Sequence, residues 1–280
     1  FLLWRRICDD ARMGETVAIL GAGKMGEALL SGLLRSGRAP GELLFTEKHE
    51  DRAKALTAQY GVEAVTAPEA VKRADTLLIA VKPQETTALL DQLAEVATSD
   101  TLVISIVAGI PCATFEKHLA DGTPVVRVMP NTPALVDEAM SAVAAGTYAT
   151  EEHLLRAEAM LSPVGKVVRV AEDQLDAVTA VSGSGPAYFF YVVEAMVEAG
   201  VQLGLTREIA HDLVIQTAIG AAVMMRDSGD DPGKLRENVT SPGGTTAAAI
   251  RSLEEHGARA TWMAALEAAR DRSRELAAGQ

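Results

Sequence analysis

Cysteine is almost absent from this chain of 280 residues: Cys8 and Cys112 are the only two. Thiols so far apart make neither a metal-ligand pattern nor a disulfide framework, so no metal is expected and both are read as reduced thiols of a cytoplasmic protein. Basic charge is also short. Lys and Arg total 26 against 38 Asp and Glu, a formal net charge of −12. A surface of that sign repels nucleic-acid phosphates and anionic membranes, so no nucleic acid and no membrane are expected as partners. A small anionic substrate stays open, because one pocket can be positive on an acidic protein. Long apolar runs are missing too. No stretch of 18 uncharged apolar residues occurs, which argues against a membrane-spanning helix. Finally, no general base announces itself. His49, His118, His153, His211 and His256 each fall among charged residues in expected helices or loops.

What is present suffices for a large core: 48% of the residues are hydrophobic, and the length suits one large domain or two moderate ones. Residues 1–12 read as an upstream extension, expected to be disordered. Their apolar run, Phe1 to Trp4, is too short for a secretory segment and its arginines, Arg5 and Arg6, come after it. From Thr16, apolar runs alternate with helical patterns. TVAIL (16–20), ELLFTE (42–47), TLLIAVK (76–82), TLVISIVAG (101–109), PVVRVMP (124–130), SAVAAG (141–146) and KVVRV (166–170) read as strands. Runs of Val, Ile and Leu without polar alternation are buried on both faces. Their alternation with helices predicts right-handed crossovers and a parallel, doubly wound α/β sheet over residues 13–172. No strand follows Glu172. Residues 173–280 read as all-helical, with Pro186 opening one helix, Thr206 capping another over 207–227, and two more after Gly244 and over 258–277. Their apolar stripes, such as Ile209, Leu213, Ile219, Val223 and Met224, are too broad to be satisfied within the domain, so a second subunit is expected to cover them.

ILGAGKMGEAL places Gly21, Gly23 and Gly26 in a GxGxxG pattern between a strand and a helix, and Glu47 stands about 20 residues further on. Gly21 permits the tight turn, Gly23 lets backbone amides approach a pyrophosphate, and Gly26 lets helix and strand pack closely; the helix N-terminus supplies positive potential. This predicts a nicotinamide dinucleotide. Glu47 suits the ribose hydroxyls of NADH, whereas Lys48, His49 and Arg52 suit the 2′-phosphate of NADPH. Both cofactors stay open, with NADPH preferred. Ligands bind beyond the carboxyl ends of parallel strands, so AVKPQ (80–84) and VAG (107–109) should line the same crevice.

A second glycine loop, NVTSPGGTTAAAI (238–250), also runs into a helix. It is rich in hydroxyls and holds no acid, base or thiol. Alcohol oxidation needs a general base. Reduction of an imine needs only a positioned hydride, a site for the substituents and a hydrogen-bond donor at nitrogen, which serine, threonine and backbone N–H can provide.

With ILGAGKMGEALLSGLL, LLIAVKP, VVRVMPNTPALV, LDAVTAVSGSGPAYFFYVVEAM and ENVTSPGGTTAAAI assembled, the chain resembles the pyrroline-5-carboxylate reductase family from about Thr16 to Glu275. The resemblance implies a Rossmann-type N-terminal domain, a C-terminal helical dimerisation domain, and homodimers that associate further into decamers. It implies reduction of L-1-pyrroline-5-carboxylate to L-proline by NADPH or NADH, the last step of proline biosynthesis. Carried over, Ser241 and Thr246 are the catalytic candidates, and Ser241, Gly243, Gly244, Thr245 and Thr246 hold the substrate carboxylate and face the imine nitrogen. The cofactor candidates are Leu20, Gly21, Ala22, Gly23, Lys24, Met25, Gly26, Glu47, Lys48, Ala80, Val81, Lys82, Val107, Ala108, Gly109 and Asn238. Ala67 departs from the pattern, standing where some members carry an Asn that touches the adenosine ribose. A β-hydroxyacid dehydrogenase-like enzyme, another cyclic-imine reductase and a non-catalytic nucleotide-binding regulator are the alternatives. The first of these families carries a catalytic lysine on the helix comparable to GSGPAYFFYVV, which has none.

Overall fold

The computed structural model of the protein describes residues 14–94 and 96–277. The expected extension over residues 1–12, with Cys8, lies outside the described residues. One sheet is built from β1 (Val17–Leu20), β2 (Leu43–Thr46), β3 (Glu63–Ala64), β4 (Thr76–Ile79), β5 (Leu102–Ser105), β6 (Val125–Met129), β7 (Ala139–Ala145) and β8 (Gly165–Arg169), in the order β3-β2-β1-β4-β5-β6-β7-β8. Strands β1 to β6 are parallel, with Val17 opposite Leu43 on one side and Thr76 on the other. Helices α1 (Lys24–Arg35), α2 (Glu50–Tyr60), α3 (Ala67–Arg73), α4 (Thr86–Ala94), α5 (Cys112–His118) and α6 (Glu151–Leu161) accompany the sheet.

Strand alternation divides the core. Val17 and Ile19 pack with Leu29, Leu30 and Leu33 of α1, Leu56 of α2 and Met160 and Leu161 of α6. Ala18 and Leu20 pack with Ala70 and Val71 of α3, Leu89 and Leu90 of α4 and Phe115 of α5. Every β1 residue is therefore fully buried, which is why the run shows no polar alternation.

The parallel expectation fails at one end of the sheet. β7 is antiparallel to β6, with Val126 opposite Ala145 and Met129 opposite Ala142, and β8 is parallel to β7. Only the short 3₁₀ turn Thr132–Val136 joins β6 to β7. A parallel return needs a crossover of a dozen or more residues, so the chain turns back on itself instead. The short elements β3, α3 and α5 were also not visible as periodic patterns, since β3 has 2 residues and each of the helices has 7.

After β8 come α7 (Leu175–Val178) and a π-helical turn, Thr179–Gly183, then α8 (Gly185–Gln202), α9 (Arg207–Asp227), α10 (Pro232–Asn238), α11 (Thr245–Glu255) and α12 (Ala258–Ala277). The chain forms two compact units. One runs to Gly183 and takes the chain back from Ala269; the other is Ser184–Ala268. The return follows from Asp176 of α7, which accepts a hydrogen bond from Ser273 Oγ at 2.7 Å and lies 3.9 Å from Arg274 Nε.

In the second unit, Thr206 Oγ1 accepts from Ile209 N–H (3.3 Å) and Asp231 Oδ1 from Lys234 N–H (2.9 Å), so α9 and α10 are capped by side chains. The unit has little interior of its own. Among its described residues only Gly185, Val197 and Ala210 are buried, while Phe189, Phe190 and Tyr191 are about 70% exposed. By length and composition α9 could cross a bilayer, although no run of 18 uncharged residues marks it; charged residues such as Glu208 and Asp212 interrupt it.

Candidate functional site

The first glycine loop is stitched to three strand ends. Gly21 N–H donates to Thr46 Oγ1 (3.0 Å) and Ala22 N–H to Thr46 O (2.9 Å), while Ala80 N–H donates to Leu20 O (2.8 Å). Gly21 has φ +101°, and a Cβ there would stand 3.0 Å from the Ala80 carbonyl. A Cβ at Gly26 would stand 2.2 Å from Gly21 O, so α1 reaches the loop only because that side chain is missing. Gly23 differs from both. It has φ −65°, caps α1 without a side-chain hydrogen bond, and a Cβ there would meet no atom within 4 Å.

The loop borders a crevice of about 770 Å³. Of the sequence candidates, Gly21, Ala22, Gly23, Glu47, Lys48, Ala80, Val81 and Lys82 line it together. Leu20 and Gly26 are buried in the strand and helix behind the loop, Met25 is half-buried, and Lys24 is exposed at the start of α1. Val107, Ala108 and Gly109 follow β5 but do not line the crevice. Val107 is buried, and a Cβ at Gly109 would approach the backbone of Leu276 and Ala277. Gln84, the last residue of AVKPQ, lines the crevice as expected, whereas sequence reading missed Thr46, Thr66 and Ala88. Thr66 carried a signal: TAPE is a capping box, and Thr66 N–H and Oγ1 both donate to Glu69 Oε2, at 2.9 and 2.8 Å. These bonds hold the Glu69 carboxyl below the usual range. Ala67, the departing residue, does line the crevice.

Charge in the crevice is mostly paired. Glu47 Oε1 accepts from His49 N–H at 3.0 Å, and Oε2 lies 3.3 Å from Arg52 Nε. Lys48 is ion-paired with Glu85, which holds the Glu85 carboxyl low. Arg52 donates to Ala22 O from Nε (3.1 Å) and Nη2 (2.9 Å), and from Nη2 to Glu27 Oε2 (2.7 Å). Of the three residues expected to suit a 2′-phosphate, Arg52 has its Nε and Nη2 engaged by the loop and by two carboxylates. Cys112 is no nucleophile. Burial, reinforced by Glu172, pushes its thiol up to about 12.

The second glycine loop lies in the other unit. Asn238 ends α10, and Thr240 Oγ1 donates to Arg236 O (2.6 Å), closing that helix. Gly244 N–H then donates to Ser241 O (3.1 Å), with Gly243 at φ +70° in the turn. A Cβ at Gly244 would stand 2.5 Å from Ser241 Oγ, so glycine lets the hydroxyl sit over the helix start. α11 begins at Thr245 with no side-chain cap. Its first amides lack intrahelical partners and face outward with the positive end of the helix dipole. Ser241, Gly243 and Thr245 are exposed, Gly244 and Thr246 half-buried.

Residues 172–276 match the family model described as pyrroline-5-carboxylate reductase dimerisation, and residues 16–109 match one described as NADP oxidoreductase coenzyme F420-dependent. The pyrroline-5-carboxylate reductase of Mycobacterium tuberculosis is 45% identical over 283 residues, covering 93% of this chain and 96% of its own length. The chain belongs to the pyrroline-5-carboxylate reductase family. The reductase of Methanosarcina acetivorans is equally similar, 45% identical with 94% of this chain and 98% of its own covered. Among solved structures, the pyrroline-5-carboxylate reductase of Coxiella burnetii superposes with a TM-score of 0.89 at 35% identity, over 94% of this chain and 98% of that one. The Plasmodium falciparum pyrroline carboxylate reductase, solved with NADP bound, gives 0.83 at 28% identity, with 94% and 98% covered. This pyrroline-5-carboxylate reductase family is one of NAD(P)-dependent oxidoreductases.

Proposed function

We infer that this member of the pyrroline-5-carboxylate reductase family reduces L-1-pyrroline-5-carboxylate to L-proline, with NADPH or NADH as hydride donor. The observation that carries the reading is the presence of two glycine loops in a chain matched over nearly its whole length by such reductases. The residues present fit a dinucleotide. Gly23 leaves its amide uncovered where a Cβ would meet nothing, and the crevice beside it is bordered by the ends of β1, β2 and β4. A bound reduced nicotinamide supplies the hydride.

In this reading Gly21, Ala22 and Gly23 hold the pyrophosphate, with Lys24, Met25 and Gly26 shaping the start of α1. Glu47 and Lys48 face the adenosine ribose, and Ala80, Val81 and Lys82 line the crevice wall. Leu20, Val107, Ala108, Gly109 and Asn238 are carried as cofactor candidates by the resemblance alone. The substrate carboxylate is held by the free amides of α11 at Thr245 and Thr246, with the Ser241 hydroxyl adding a charge-assisted hydrogen bond. Gly243 and Gly244 leave room for that approach. Thr246 Oγ1 donates to the imine nitrogen. A threonine hydroxyl is too weak an acid to protonate that nitrogen by itself, so the proton comes from solvent.

The exposed aromatic and aliphatic faces of the helical unit are covered by a second copy of the chain, and decamers of such dimers are the larger assembly proposed. A cytoplasmic location rests on the sparse, unpaired cysteines and the acidic charge. The test is oxidation of NADPH followed by absorbance with pyrroline-5-carboxylate and, separately, with a β-hydroxyacid. Turnover of the first alone is expected; turnover of the second alone would overturn the assignment.

A further inference from the structure

Arg52 reaches back from the first turn of α2 to the glycine loop. Its Nε and Nη2 both donate to Ala22 O, at 3.1 and 2.9 Å. Nη2 also donates to Glu27 Oε2 at 2.7 Å, and Nε lies 3.3 Å from Glu47 Oε2. Glu27, in the first turn of α1, is held from its other oxygen by Tyr60 Oη at 3.0 Å. A trans peptide is planar, with its carbonyl and N–H pointing in opposite directions. Fixing Ala22 O against Arg52 therefore fixes the N–H of Gly23 on the opposite side. That N–H makes no hydrogen bond to a described residue, and Gly23 lines the crevice.

We propose that Arg52 is a positioning residue of the cofactor site: clamped on Ala22 O, it holds the Gly23 N–H aimed at the dinucleotide pyrophosphate, and it is not the ligand of a 2′-phosphate. The inference rests on the reading of this crevice as the dinucleotide site. The charge balance agrees with it. One guanidinium faces two carboxylates, Glu27 and Glu47, so the cluster keeps net negative charge and offers little positive potential to a further anion. Planarity also matters. A guanidinium serves a carbonyl and two carboxylates from one rigid fork, which an ammonium cannot reproduce.

The test uses Arg52→Lys in the full chain, which keeps the charge and removes the fork. Dissociation constants for NADH and NADPH are measured from reduced-nicotinamide fluorescence without substrate. Both are expected to rise by a similar factor, about tenfold, the scale of one lost charge-assisted hydrogen bond. Unchanged NADH binding with weakened NADPH binding would make Arg52 a 2′-phosphate ligand and overturn the proposal; so would unchanged binding of both. If Arg52→Lys does not fold, Glu27→Gln loosens the same clamp with Arg52 in place, and again both constants must rise together. The cofactor-free melting temperature is recorded beside them, since a purely structural loss lowers it without moving affinity in the folded protein. Failure of the reductase reading would appear as absent turnover with pyrroline-5-carboxylate, a result independent of these binding constants.

Discussion

Adding one methyl group at Gly26 or at Gly23, three residues apart in the same loop, should have opposite consequences. At Gly26 the new Cβ would stand 2.2 Å from Gly21 O, 3.2 Å from Gly21 C and 3.3 Å from Ile19 Cγ2. Ordinary contact begins at 3.4 Å, and the obstruction is backbone with no freedom to swing away. α1 must retreat from β1, where Leu29, Leu30 and Leu33 pack on Val17 and Ile19. Overpacking of this kind costs about 1–3 kcal/mol. At Gly23 the backbone already suits an L-residue at φ −65°, and nothing lies within 4 Å. Alanine is a poorer cap than glycine by roughly 0.5–1 kcal/mol, and reduced freedom of the unfolded chain returns about 0.4–1 kcal/mol, so the net change is within about 0.5 kcal/mol. The methyl group would, however, lie over the amides offered to the pyrophosphate. Thermal denaturation of the cofactor-free proteins should therefore show Gly26→Ala clearly destabilised and Gly23→Ala near the parent. NADPH titration should show Gly23→Ala weakened by at least tenfold, the cost of about 1.4 kcal/mol. A Gly23→Ala variant that binds NADPH normally, or a Gly26→Ala variant as stable as the parent, would refute the reasoning.

Thr246→Ala should lower kcat/KM for pyrroline-5-carboxylate by roughly 1.5–3 kcal/mol, the value of a hydrogen bond to a charged group, and unchanged kinetics would remove Thr246 from the mechanism. His153 should make stability fall on acidification. Its Nδ1 accepts the Thr150 N–H at 3.0 Å and so caps α6, and burial, followed by the nearby Arg156 charge, holds its pKa below the ordinary value of about 6.5. A lowered folded pKa means that this contribution is present above the ordinary value and lost as pH falls through it towards the folded one. Melting temperatures between neutral and mildly acidic pH should decline less steeply in His153→Gln than in the parent; parallel declines would contradict the assignment.

Much of the site was legible because its chemistry is local in sequence. The glycine pattern, the strand before it and the helix after it occupy one short segment, and each glycine's role follows from backbone conformation and close approach. Gly21 at positive φ and Gly26 against Gly21 O are roles the sequence pattern already implied. The hydroxyl-rich run 238–250 likewise predicted a glycine turn running into a helix from its own residues. The helical unit's need for cover was readable from stripes as broad as those of α9.

Tertiary structure decided what depends on distant partners. Whether Arg52 serves a phosphate or the Ala22 carbonyl, 30 residues away along the chain, turns on where α2 sets its guanidinium. The reversal at β7 turns on the short connection after β6, and the crevice wall at Thr66 and Ala67 on strands that are remote in sequence but adjacent in the sheet. The sequence alone determined the local menu of turns, strands and caps, since these are steric and hydrogen-bonding properties of neighbouring residues. Only the folded chain decided which charges meet, because a long polar side chain takes whichever partners the packed elements bring within its reach.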